Sequence, residues 1–172
     1  GAISDTGGAG TGIHLNANTG STIAFTGGIA LSTGINDAFT AIGGGTVTVT
    51  QNNTTIVNTL ATTDGIALRV ANTEIGGAGL TFRSISAGTS SYSPGVGILL
   101  DSTGIAAGNG GLTVSGTGVA QSGGVIRRKS GADGVLAEGI GIYLNATKTP
   151  TFNWIEMFGF ENSGIVARNV AG

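Results

Sequence analysis

The residues that could do chemistry in this chain of 172 are few and scattered. His14 is the only histidine and there is no cysteine. A Ser-His-Asp triad would lack the Gly-x-Ser-x-Gly elbow that presents its nucleophile, so His14 reads as a solvated histidine on the outward side of a strand. No His-x-x-x-His pair and no Gly-Gly-x-Gly-x-Asp calcium repeat occurs, and Gly131-Ala132-Asp133-Gly134 offers one carboxylate where calcium needs several oxygens. Catalytic, metal-ligating and cofactor-binding residues are therefore assigned to none. Glycan cleavage needs clustered carboxylates, with a Lys or Arg base in lyases. Asp37, Asp64 and Asp101 come nearest, but the first two sit just before their strands, where a corner carboxylate accepts backbone N–H groups. The densest charge is Arg127-Arg128-Lys129. It would pair with Asp133 and Glu138 or be solvated, or it would dock an acidic glycan or an acidic neighbouring chain. The glycines cradle no phosphate, because no Gly-Lys-Ser/Thr follows them.

The elements that must carry these residues are strands. Glycine supplies 34 residues, against about 7% in ordinary proteins, and charged residues only 9%. Interior glycine costs a helix about 1 kcal/mol, so few windows could sustain one. Apolar residues fall instead in short alternating runs such as Thr46-Val47-Thr48-Val49-Thr50 and Leu112-Thr113-Val114, which read as strands. Seven Lys and Arg against nine Asp and Glu leave a net charge of −2, without the basic footprint of a nucleic-acid binder. No apolar run approaches the ~18 residues of a membrane span.

Repetition decides the architecture. Gly-Ile-x-Leu occurs at Gly12, Gly65, Gly97 and Gly141, with variants at Ala38 and Gly164. Second strands are expected at 22–25, 45–50, 79–85, 111–115 and 151–157, and third strands at 28–32, 55–60 and 124–129. Three strands in about 23–27 residues make one coil of a solenoid. The fold expected is all-β, a parallel β-helix of about six coils, with two longer corner loops near 89–95 and 130–139. Alternate residues should stack into ladders. One would hold Ile13, Phe39, Ile66, Ile98, Ile142 and Ile165; the other Leu15, Ala41, Leu68, Leu100, Leu144 and Ala167. Corners with positive φ account for the glycine, and close coil-on-coil stacking accounts for the low charge.

Five segments carry a resemblance: 44–50 (Gly-Gly-Thr-Val-Thr-Val-Thr), 71–76 (Ala-Asn-Thr-Glu-Ile-Gly), 79–87 (Gly-Leu-Thr-Phe-Arg-Ser-Ile-Ser-Ala), 111–118 (Gly-Leu-Thr-Val-Ser-Gly-Thr-Gly) and 139–145 (Gly-Ile-Gly-Ile-Tyr-Leu-Asn). Together they resemble bacterial right-handed parallel β-helix, or β-strand repeat, surface proteins. That resemblance implies an exported, cysteine-poor adhesin or autotransporter passenger at the cell surface or outside the cell. The chain departs from the pattern at 150–160, which is unusually aromatic.

That departure and the outward face of the first-strand sheet are the expected interaction surface. Outward residues run His14, Thr40, Ala67, Leu99, Tyr143, Val166, becoming apolar toward the C-terminal end. In the aromatic segment, strict alternation puts Phe152 and Trp154 inside. A bend after Asn153, which the family pattern favours, puts Ile155 and Met157 inside and Trp154 and Phe158 outside. Leu99, Tyr143, Trp154, Phe158 and Val166 are then either covered by the corner loops or form a contact surface, with Arg127, Arg128 and Lys129 as the second candidate patch. Asn52, Asn53 and Asn145 begin glycosylation sequons. Residues 1–172 are expected to be one segment of a longer rod, since no capping element closes either end. The function expected is a non-enzymatic structural or adhesive module. Its partners would be other repeats of the same chain or identical chains, and a glycan or host-cell surface, with no cofactor, nucleic acid or membrane span. A filament or sheath subunit, and a glycan-active enzyme or tailspike, are the alternatives.

Overall fold

A computed structural model describes residues 1–8, 10–50 and 56–172. With one exception, the described strands follow one another through the three sheets in a cycle of three. They are β1 (Ile3–Thr6), β2 (Ile13–Asn16), β3 (Thr22–Phe25), β4 (Ile29–Ser32), β5 (Phe39–Ile42) and β6 (Thr46–Val49). Next come β7 (Thr59–Thr62), β8 (Leu68–Ala71), β9 (Glu74–Phe82), β10 (Ser84–Ala87), β11 (Ser93–Pro94) and β12 (Val96–Asp101). The last six are β13 (Leu112–Val114), β14 (Gly124–Ser130), β15 (Ile140–Asn145), β16 (Thr151–Phe152), β17 (Ile155–Phe160) and β18 (Ser163–Arg168).

Every pairing between them is parallel and joins equivalent strands of successive coils. A six-stranded sheet runs β2-β5-β8-β12-β15-β18, and a five-stranded sheet runs β3-β6-β9-β13-β16. In a seven-stranded sheet β1, β4, β7, β10 and β14 follow in order, with β11 and β17 also pairing to β14. Three parallel sheets wound by one chain make a parallel β-helix, as the repeat implies. The expected third strand at 55–60 begins outside the described residues, and its described part lies at Thr59–Thr62. The sequons at Asn52 and Asn53 also lie outside the described residues.

Inward residues from all three sheets fill one core. Phe25, Phe39 and Phe82 stack edge to face along it, with ring centroids 5.7 and 6.2 Å apart. Each fully buried Leu, Ile or Phe contributes about 1.5–3 kcal/mol, which no single coil could collect alone. The buried Asn58 binds three levels: its Oδ1 accepts the Ile29 N–H at 2.8 Å, and its Nδ2 donates to Thr81 O at 2.8 Å and Thr50 O at 3.3 Å.

The first ladder is Ile13, Phe39, Leu68, Ile98, Ile142, Ile165, and the second is Leu15, Ala41, Val70, Leu100, Leu144, Ala167. The third coil is thus displaced by two residues from the register expected, with Leu68 where Ile66 was placed and Val70 where Leu68 was. A shift of two leaves the alternation unchanged, so the apolar pattern did not oppose the error. Arg69 consequently faces outward beside Thr40 and Leu99, and Ala67 is buried.

The corner leaving the six-stranded sheet repeats at every level. Ala17, Gly43, Asn72, Ser102, Ala146 and Asn169 all adopt φ between 45° and 78°. From Ala17 to Ala146, each donates its N–H to the last strand residue of the next coil. Only Gly43 is glycine, so side chains up to asparagine are accepted at this left-handed position. Two insertions interrupt the cycle. The chain leaves the seven-stranded sheet after β10 and rejoins it as β11, and a loop joins β14 to β15.

Candidate functional site

The basic run does not form one patch. Along β14, alternation sends Ile126 inward and Arg127 outward; at Arg128 the backbone turns left-handed (φ 51°). Gly88 (φ 100°) and Gly159 (φ 72°) take the same region at this kink in the neighbouring coils. Beyond the kink Lys129 points into the core and is 0% exposed. It is therefore not part of a docking surface, because the kink reverses the side on which it emerges. All three ammonium donors are used: Nζ bonds Asp64 O at 2.9 Å, Ser93 Oγ at 3.1 Å and Gly65 O at 3.4 Å. Burial pushes the Lys129 ammonium below its ordinary pKa, opposed by the charges of Asp64 and Asp37. Lys129 thus bolts the fifth coil to the third through β11. Arg127 and Arg128 remain half-buried outside. The Arg127 Nε donates to Gly88 O at 3.5 Å, and the Arg128 guanidinium lies 5.8 Å from the centre of the Tyr92 ring.

The carboxylates are dispersed. Asp37 Oδ1 accepts the Ile66 N–H at 2.8 Å and its Oδ2 accepts the Thr40 hydroxyl at 3.4 Å, the corner role expected of it. Asp101 lies at the other end of the six-stranded sheet, where Asn145 Nδ2 (2.8 Å) and the Ser102 hydroxyl (3.1 Å) donate to it. His14 is exposed. Among the described residues no three His, Asp or Glu side chains gather as a metal site.

The aromatic segment follows the bent register. Phe152 ends β16, the chain turns at Asn153 and Trp154, and β17 begins at Ile155. Trp154 has φ 60°, and this left-handed residue turns it outward while Ile155 and Met157 pack against the core. Trp154 is 51% exposed and Phe158 37%. Leu99, Tyr143 and Val166 are half-buried neighbours on the outer face of the six-stranded sheet. Phe158 belongs to the seven-stranded sheet and Trp154 to the corner before it. The five expected surface residues therefore occupy two faces.

Beside Trp154 lies a groove of about 300 Å³ lined by Ala120, Gln121, Trp154, Ile155 and Glu156. Its far wall is the corner between β13 and β14. There the Ser122 hydroxyl accepts the Thr117 N–H at 2.9 Å and donates to Val119 O at 2.5 Å. Gln121 is left-handed as well (φ 64°). The Gly123 N–H bonds Trp154 O at 3.0 Å. Gly116 lies so close to the indole that a Cβ there would come within 2.8 Å of Trp154 Cδ1. A larger trough of about 520 Å³ follows the repeating corner and is lined mainly by glycine, serine and threonine, with Glu74 its only charge.

Reading the sequence missed three positioning residues. Gln121 closes the groove. Ser93 receives Lys129. Asn162 holds the β14–β15 loop: its Nδ2 donates to Glu138 O (2.8 Å), Ala132 O (3.0 Å) and Val135 O (3.3 Å), and its Oδ1 accepts the Gly134 N–H (3.1 Å). An asparagine after the last strand of its sheet, in the coil that follows a long insertion, was the available signal for Asn162.

Fold and surface together define a solenoid with an irregular final corner. No protein-family model, no curated protein and no solved structure matches the chain.

Proposed function

We propose that the chain is a structural and adhesive β-helical segment of a large bacterial protein exported to the cell surface. The ladder supports this reading most: six levels in continuous register along the six-stranded sheet give a stiff rod that projects whatever its corners carry. Buried side chains serve stacking, including the one buried lysine. The motifs at 44–50, 79–87 and 139–145 support the surface-protein resemblance. Antibody raised against the chain should label intact source cells as strongly as permeabilised ones. Labelling only after permeabilisation would sink the proposal.

A second reading, a subunit of an extracellular filament or sheath, draws on the coil ends. Ile165 holds an inward ladder position against Ile142 yet is 54% exposed, and Ile3, paired with Ile29, is 39% exposed. In a filament an identical chain would cover such residues. Sedimentation at rising concentration separates the two. Oligomers that Ile165→Lys abolishes favour the filament, and a monomer throughout favours the segment.

A further inference from the structure

We propose that the groove at Trp154 binds a neutral oligosaccharide. The inference rests on the adhesive half of the reading above and names the class of ligand. Trp154, Glu156 and Phe158 alternate outward along the last coil while Ile155 and Met157 turn in, so aromatic, carboxylate and aromatic follow one another. At ~3.3 Å per residue the strip is ~13 Å long. Gln121 faces it from the coil below, across the groove.

This set of groups matches a sugar in both of its chemistries. A pyranose offers a face of C–H groups, which stacks on an aromatic plate as apolar area does, and a rim of hydroxyls that both donate and accept. The Trp154 face supplies the plate. The Glu156 carboxylate accepts only, while the Gln121 amide donates and accepts, so together they satisfy a hydroxyl pair in either sense. Both side chains are exposed, and no hydrogen bond within the described residues engages either. The aromatic platform is built in advance. Trp154 sits in a left-handed conformation that is unfavourable for an ordinary residue, its carbonyl is held by Gly123, and Gly116 gives its indole room. A rigid aromatic loses little entropy on binding. Charge chooses the class: a uronate or sialate would bring its carboxylate beside Glu156. Arg127 is the register neighbour of Phe158 and donates to the Gly88 carbonyl at 3.5 Å.

The chain has one tryptophan, so its fluorescence reports this groove alone. Titration with cellohexaose, laminarihexaose, mannohexaose and lacto-N-neotetraose, each to about 10 mM, should give a saturable change with at least one. For that sugar, calorimetry should show Trp154→Ala weakening binding at least about tenfold, Gln121→Ala and Glu156→Ala about three- to tenfold each, and Trp154→Phe less than Trp154→Ala. Arg127→Ala should leave affinity unchanged. No saturable change with any of the four overturns the proposal, as does binding that survives Trp154→Ala. Binding of polygalacturonate or heparin that Arg127→Ala removes overturns it too, in favour of an acidic ligand. Trp154→Ala should keep the wild-type circular dichroism, sedimentation and cell-surface labelling, so failure here is distinguishable from failure of the surface-segment reading.

Discussion

The corner that leaves the six-stranded sheet and the corner that enters the seven-stranded sheet solve the same problem differently. The first begins with one left-handed residue at all six levels and accepts glycine, alanine, serine or asparagine there. The second is rebuilt at each level. Only Arg83 separates β9 from β10, the nine residues 115–123 separate β13 from β14, and Asn153 and Trp154 separate β16 from β17. A position set by backbone conformation alone repeats and tolerates exchange. Where the chain length varies, individual side chains are free to acquire a task.

Five substitutions and a pH series test that contrast, from the largest expected effect to the smallest. Leu68→Ser should cost about 4 kcal/mol in urea unfolding and Ile66→Ser about 1, because only Leu68 occupies the ladder whose register leads to Asn72 at the repeating corner. Equal losses would restore the register that Gly-Ile-x-Leu alone suggests. Lys129→Ala should cost about 3 kcal/mol, as it opens a cavity and strips a donor from two carbonyls and the Ser93 hydroxyl. An effect below ~1 kcal/mol would mean the bolt is idle.

The same lysine sets a pH dependence. Its pKa is lowered in the folded state, so the unfolded chain binds the Lys129 proton more tightly. Stability should therefore rise with pH between the folded pKa and the ordinary 10.5, and level off beyond it. Lys129→Met should lack this increment, so the difference between the two proteins in urea unfolding should grow toward alkaline pH. A difference that stays flat or shrinks contradicts the burial. Asn162→Ala should cost about 1 kcal/mol and expose the loop over 131–139 to faster amide exchange, leaving the six-stranded sheet protected. At the repeating corner, Ser102→Gly should change stability by less than ~0.5 kcal/mol, because relief at φ 55° offsets the added chain entropy.

Much of this architecture could be read from the residues. Alternating runs at Thr46–Val49 and Leu112–Val114, the recurring Gly-Ile-x-Leu and the glycine count led to strands, coils and both insertions. The bend at Trp154 was one of two registers that the residues left open, and the family pattern, not alternation, favoured it; in the fold Phe152, Ile155 and Met157 all pack against the core. Register was less legible. Ile66, Leu68 and Val70 alternate without a break, so only the distance from the second inward residue to the left-handed corner fixes the coil. That distance is the same from Leu15 to Ala17 and from Val70 to Asn72. Lys129 was read as surface because charge at a strand end is ordinarily solvated. Its burial depends on Arg128 adopting positive φ and on acceptors from Asp64, Gly65 and Ser93, remote in sequence and adjacent only after coiling. Gln121 escaped notice for the same reason, since its relation to Trp154 exists only between coils.

Backbone amide shift mapping tests the division of labour directly. With the tightest-binding oligosaccharide of the four titrated into the labelled chain, shifts should concentrate at residues 115–123 and 153–158. Ala17, Gly43, Asn72, Ser102, Ala146 and Asn169 should not move. Perturbation centred on those six repeating positions, or absent from the Trp154 groove, would contradict the account.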